Sequence, residues 1–185
     1  MSIDRQKVLA QLFERLYGSP VIRNDLRGEL VEEIVGLALA PDWKLSGSDW
    51  GACDLQHASS GYKIQVKQSA AKQSWDAGKN GRSLPRFSIA AKTGRYEGPD
   101  WIAGEGRNAD IFVFAWHNEM DSDCDHANPV QWKFYVVAES VLPAQKSLGL
   151  SQVESLTAAV EFADLSAAVD AVVAEIQKLV TSANL

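Results

Sequence analysis

From Tyr62 to Lys67 the side chains alternate between apolar and polar. Tyr62, Ile64 and Val66 therefore leave one face of a strand, and Lys63, Gln65 and Lys67 leave the other. Ser59-Ser60-Gly61 before it is a turn signal, and glycine supplies the positive φ that hairpin turns need. The stretch Trp50–Ser69 thus predicts two strands joined by a tight turn, with Asp54 on the first. Residues 4–17 place Val8, Leu9, Leu12, Phe13 and Leu16 at helical spacing, which predicts a packing helix stopped by Gly18-Ser19-Pro20. Residues 25–40 predict a second helix. Its buried stripe runs through Leu26, Leu30, Ile34, Leu37 and Ala38, flanked by Val31, Val35 and Leu39, and Pro41 ends it.

Residues 43–46 read as a short strand, with Gly47-Ser48-Asp49 turning into the hairpin. Residues 69–86 read as an exit followed by a glycine-rich loop, 87–91 as a weak strand, and 92–108 as loop. The near-continuous apolar run 109–116 reads as a strand covered on both faces. Residues 118–128 form an acidic surface loop, and 132–138 another strand. From Asp164 a capped amphipathic helix turns Leu165, Val169, Val172, Ile176, Leu179 and Val180 inward. The order is α-α-β-β-β, a loop-rich region, then β-β-α. The simplest packing is an α/β fold with helices on both sides of one mixed sheet.

Length and composition narrow this further. At 185 residues the expectation is one domain spanning residues 1–185. A hydrophobic fraction of 46% with 23% charged residues is that of an ordinary globule. With no apolar run of about 18 residues and no leader-like apolar segment near the start, the chain reads as cytoplasmic, with no membrane partner. Two cysteines are too few for a disulfide framework. The net charge of −6 argues mildly against a nucleic-acid partner, but the distribution does not. From Lys63 to Arg107 nine basic residues face four acids, a net of +5, which leaves −11 on the remainder. A local basic face on an acidic protein can still meet phosphates. Tyr96 and Trp101, among Lys92, Arg95 and Arg107, could touch bases or anchor a loop to the core.

The hairpin brings Asp54 beside Gln65 and Lys67. A carboxylate, an amide oxygen and an ammonium can together hold a divalent metal and steady a charged transition state. Glu29, Glu32 and Glu33 occupy the polar arc of the second helix, Glu32 and Glu33 at the borders of its buried stripe. A solvated acidic face is the plain alternative for each of them.

A helix with Gly28-Glu29-Leu30-Val31-Glu32-Glu33-Ile34-Val35, then Asp54, then Ile64-Gln65-Val66-Lys67 resembles the PD-(D/E)xK nuclease superfamily, of restriction-endonuclease-like fold. The resemblance covers roughly residues 24 to 140 and implies a central mixed sheet flanked by helices in an αβββαβ-type core. It makes Asp54 the central metal-binding carboxylate and Lys67 the lysine beside the attacking water. Gln65 stands where Glu or Asp is usual, which is similar to the Mrr-like branch and its QxK strand. Glu32 is the preferred helix carboxylate, with Glu29 second. Asp54, Gln65 and Glu32 would hold Mg²⁺, or Mn²⁺ in its place. The implied activity is hydrolysis of DNA phosphodiester bonds in restriction, defence or repair. Lys72, Arg82, Arg86 and Arg95 are the expected backbone contacts. A homodimer would let two such sites cut two strands, and a separate specificity or partner subunit fits the same scheme.

Three other readings stay open. The first is a catalytically weak or inactive module of this fold that binds DNA or a protein. The second is action on RNA. The third is a zinc site built from Cys53, His57, Cys124 and His126, at spacings unlike the common structural patterns; the alternative there is core cysteines and surface histidines. No glycine-rich loop ending in Lys-Ser/Thr is present, so a nucleoside triphosphatase is not indicated.

Overall fold

The structure, a computed structural model, describes residues 4–46, 52–75, 81–97 and 100–183. The turn expected at Gly47-Ser48-Asp49 and residues 76–80 of the glycine-rich loop lie outside them. The chain opens with α1 (Arg5–Tyr17), whose start is capped by the Asp4 side chain accepting from the Gln6 backbone N–H at 3.0 Å. This was expected to be a packing helix, and it is not one: none of its residues is buried, and Phe13 is 66% exposed. Its apolar spacing is real, but the described residues place no core against it.

Next comes α2 (Asn24–Leu39), which buries Val31, Ile34, Val35 and Leu39. All four belong to the expected stripe, and Leu30 and Ala38 pack against the same core half-buried. Leu37, expected inside, is 65% exposed, while Arg27 is buried at 1% exposure. Helical spacing predicts one wide apolar stripe, and contact with the sheet sets which edge of it lies deepest. The Arg27 guanidinium donates to Gln68 Oε1, Gln73 Oε1 and Asn24 Oδ1, which are all neutral acceptors. Burial holds its pKa down, to about 10. Arg27→Ala should lower unfolding stability by about 3 kcal/mol or more in urea titrations, because it leaves buried amides unpaired beside a cavity.

The strands follow as β1 (Trp43–Leu45), β2 (Leu55–His57), β3 (Lys63–Ala70), β4 (Arg86–Ser88), β5 (Lys92–Glu97), β6 (Asp100–Gly106), β7 (Ile111–His117), β8 (Trp132–Ala138) and β9 (Ser147–Gly149). The short α3 (Leu150–Glu154) and the long α4 (Leu165–Ala183) close the chain. Five strands form the central sheet in the order β1-β2-β3-β7-β8, where β3 and β7 run parallel and the other pairs antiparallel. On one face, Ile64, Val66, Ile111, Val113 and Phe134 pack against α2 and α4. On the other, Phe112, Phe114 and Tyr135 pack against Phe87, Ile89, Leu148 and Val153. Covered on both sides, β7 has all seven residues buried, as its continuous apolar run predicts.

The chain is thus a mixed α/β protein with a central mixed sheet flanked by helices. Of the expected αβββαβ order, the first helix, the three strands and the later strand are in place. Where that order puts a second helix, the described residues of the β3-to-β7 crossover carry β4 and a β5–β6 ribbon instead. Reading 92–108 as loop was therefore wrong. Tyr96 pairs with Trp101 across the ribbon, and the Trp101 indole lies so close over Gly94 that a Cβ there would meet it at 2.4 Å. A glycine that looks like a turn former is instead the seat of an indole. In α4, Leu165 and Val169 are buried, but Leu179 and Val180, expected inward, are 62% and 56% exposed. Among the described residues no helix is long and apolar enough to cross a membrane.

Candidate active site

Asp54 sits immediately before β2 and is held at both ends of its backbone. Its N–H donates to the Ile64 carbonyl and its own carbonyl accepts from the Ser46 N–H, both at 2.9 Å. Its carboxylate Oδ2 accepts from the Val66 N–H at 2.6 Å and from the Gln65 Nε2 amide. The turn through Gly61, at φ 75°, sets the register that brings these residues together. Pleating sends Gln65 and Lys67 to the face opposite Ile64 and Val66, where they share register with Phe112 and Phe114 of β7.

Glu32 joins the group from α2, while its neighbours Glu29 and Glu33 are exposed. Burial pushes the Glu32 carboxyl up to about 7, and the charges of Asp54 and Glu29 push the same way against the pull of Lys67. Burial also raises the Asp54 carboxyl, although Lys67 and two donated hydrogen bonds oppose it. The Lys67 ammonium is held below its usual range by burial, with Asp54 and Glu32 resisting and Lys92 adding to the shift. All three charges are thus carried at a cost. Among the described residues, neither Glu32 nor Lys67 closes a hydrogen bond or an ion pair. A structural ion-pair network would have satisfied them; charges held unsatisfied around one spot are characteristic of functional sites.

Two carboxylates whose pKa values are both raised by burial, Glu32 also by the charge of Asp54, suit a hard cation with an amide oxygen beside them. Asp54 Oδ1 and Gln65 Oε1 have no hydrogen-bond partner among the described residues, because Asp54 Oδ2 and Gln65 Nε2 satisfy each other. These oxygens and Glu32 are the donors that Mg²⁺ takes when it keeps most of its waters.

A cavity of about 160 Å³ opens next to Gln65 and Lys67, and its wall includes Ser88, Lys92, Arg107 and Asn108. None of the four expected DNA contacts lines it. Lys72 donates to the Asp121 carbonyl, Arg82 lies 5.8 Å from the Trp116 ring centroid, Arg86 donates to Ser147, and Arg95 sits on the ribbon. The signal for Lys92 and Arg107 was present, since both belong to the basic stretch. With the ribbon read as loop, nothing tied them to Lys67.

The zinc set weighed as an alternative, Cys53, His57, Cys124 and His126, is not assembled among the described residues. His117, Cys124 and His126 cluster instead, all buried, with ligand-type atoms within 4.8 Å of one another. Cys53, although buried, and His57 are not part of that group. His126 is no surface residue, contrary to expectation: it is fully buried. Its Nδ1 accepts the Ile22 N–H at 3.0 Å, so the proton of the neutral ring sits on Nε2. That ring therefore carries an N–H, not a lone pair, at Nε2, an atom buried with no hydrogen-bond partner among the described residues. His117 Nδ1 is likewise buried without such a partner, and the group could hold a metal ion once His126 Nε2 gives up its proton; His126 also ties the Trp132 indole through its carbonyl.

The fold and the site together define a mixed α/β protein with two carboxylates, an amide and a lysine gathered where a hairpin meets a helix. No family model matches the chain, and no curated protein matches it. Among solved structures it is similar to the bacterial homing endonuclease I-Ssp6803I at 19% identity, covering 69% of this chain and 77% of that chain, with a TM-score of 0.37.

Proposed function

We propose that the protein is a metal-dependent endonuclease of the PD-(D/E)xK class and restriction-endonuclease-like fold, a QxK variant similar to the Mrr-like branch, that hydrolyses DNA phosphodiester bonds in the cytoplasm. The observation that carries this reading is the convergence of Glu32, Asp54, Gln65 and Lys67, in which neither Glu32 nor Lys67 closes a hydrogen bond or ion pair among the described residues. Glu32, Asp54 and Gln65 would hold Mg²⁺ or Mn²⁺, which supplies Lewis acidity at the phosphate oxygens. The chain's own residues do the rest. Asp54 is locked by the Val66 N–H, so the ligand oxygen does not move as charge develops. Gln65 donates its amide to Asp54, which fixes which of its atoms faces outward. Lys67 places a positive charge beside the attacking water and the scissile phosphate, at a spot where burial strengthens its effect. Lys72, Arg82, Arg86 and Arg95 are proposed as phosphate contacts outside the cavity, holding the backbone without reading sequence. A homodimer would cut both strands, and a partner subunit could supply specificity.

The test is supercoiled plasmid with Mg²⁺ or Mn²⁺, beside an EDTA control and Lys67→Ala. Nicking or linearisation by the wild type alone supports the reading. A mobility shift without cleavage under either metal favours the inactive binding module instead. Gln65→Glu should keep or raise the cleavage rate, since a carboxylate strengthens the ligand set. Complete loss would show that the amide N–H₂ donated to Asp54 is what the site requires.

A further inference from the structure

We infer that Lys92 is a second phosphate-contacting cation of this site, acting across the cavity from a different element than Lys67. The inference rests on the nuclease reading and extends it to a residue that neither the motif nor the sequence pattern singled out.

Three cations line the cavity next to Gln65: Lys67, Lys92 and Arg107. They are not equivalent. Arg107 is pinned by the protein at all three nitrogens: Nε donates to the Ile89 carbonyl at 2.7 Å, Nη1 to Glu139 at 2.9 Å and Nη2 to the Pro143 carbonyl. It braces the base of the ribbon, so although two of its five N–H donors stay free among the described residues, its guanidinium cannot turn to a ligand without breaking these bonds. Lys67 belongs to the acidic group. Lys92 begins β5 where the ribbon's pairing slips, between Lys92 and Gly94. It is exposed and makes no hydrogen bond or ion pair among the described residues. Irregular pairing at such a position re-aims a side chain. Its charge is nevertheless felt by Asp54 and by Lys67. A flexible ammonium on the cavity wall, unspent and within electrostatic reach of both, is suited to a phosphate oxygen as a point charge. Ser88 and Asn108 add neutral polar groups to the same wall.

In hydrolysis the water oxygen adds to phosphorus while one ester P–O bond breaks. The ester oxygen leaves with the bonding pair and takes up a proton from solvent, and the water gives up its own proton to solvent. The non-bridging oxygens carry more negative charge at the transition state than in the substrate. Two ammonium groups at the phosphate stabilise that excess better than one.

The experiment compares wild type, Lys92→Ala, Lys92→Gln and Lys92→Arg in two measurements. The first is plasmid cleavage kinetics with Mg²⁺; the second is binding of a fluorescein-labelled duplex in EDTA across a salt series. Loss of the charge should lower kcat/KM by about 10²-fold, and Lys92→Arg should recover most of it. The slope of log affinity against log salt should fall in magnitude by about one in the Ala and Gln variants and return in Arg. A structural role would not produce that change in slope. Wild-type cleavage with unchanged kinetics and slope in Lys92→Ala and Lys92→Gln overturns this inference and leaves the nuclease reading standing. Binding without cleavage by the wild type removes the nuclease reading, and the salt slope still decides whether Lys92 meets phosphate. Neither cleavage nor binding by the wild type overturns both.

Discussion

Lys67→Ala and Asp54→Asn each reduce plasmid cleavage by on the order of 10³-fold or more, while circular dichroism and the unfolding transition stay cooperative. The two changes differ in what they remove. Lys67→Ala takes away the positive charge and leaves the acids uncompensated. Asp54→Asn keeps an oxygen for the Val66 N–H, so the local backbone is preserved, and takes away only the negative charge. Stability should move in the opposite direction from activity. Burial raises the Asp54 carboxyl, so its ionised form is disfavoured in the folded state, and the neutral amide relieves that cost. Glu32 behaves in the same way with a defined window. Its folded pKa of about 7 lies above the ordinary carboxyl value of 4.5, so its contribution is full below pH 4.5 and is lost as pH rises through 7. Glu32→Gln should therefore raise stability at pH 8 by on the order of 1–3 kcal/mol and abolish cleavage. Variants more stable and less active than the wild type are the signature of charges kept for function. Wild-type rates in Lys67→Ala or Asp54→Asn would sink the site assignment.

Acid should unfold the protein through its buried histidines. Burial is the main force holding the His126 imidazole down to about 3, with Arg27 and His117 adding to it, and burial lowers His117 in the same direction. Below pH 6.5 the unfolded chain takes up a proton that the folded His126 refuses. Stability is thus lost progressively from 6.5 toward 3, by an amount on the order of several kcal/mol for His126 alone. The groups around this ring include Arg27, whose charge opposes protonation, and Cys124 as a neutral thiol. Asp125 lies close to His117 through its carbonyl rather than its carboxylate. Glu32 pulls the other way between pH 7 and 4.5, so the comparison must be between variants. His126→Asn retains an oxygen for the Ile22 N–H and does not titrate. It should lower the melting temperature at pH 7, where a ring is missing from the core, but flatten the fall between pH 6.5 and 4. An equally steep fall in His126→Asn would assign the acid lability elsewhere.

Local pattern determined several features of this protein by itself. The alternation Tyr62–Lys67 and the turn signal before it are physical consequences of a two-residue period, so the hairpin and the side of β3 from which Gln65 and Lys67 emerge were legible. The apolar runs at 109–116 and 132–138 could only be buried strands. Tertiary structure decided the rest, because it required partners distant in sequence. Glu29, Glu32 and Glu33 share one helix arc; the resemblance preferred Glu32, and the docking of α2 on the sheet leaves that one half-buried and its neighbours exposed. That docking also turned Leu37 out of the expected stripe and buried Arg27, two of whose acceptors, Gln68 and Gln73, lie more than 40 residues away. The ribbon was invisible because Gly94 reads as a break until Trp101 is seen to lie on it. With the ribbon hidden, Lys92 could not be placed beside Lys67. Nor could the burial of His126, set by the chain at Ile22 more than 100 residues away, be read from an acidic stretch that looks like surface.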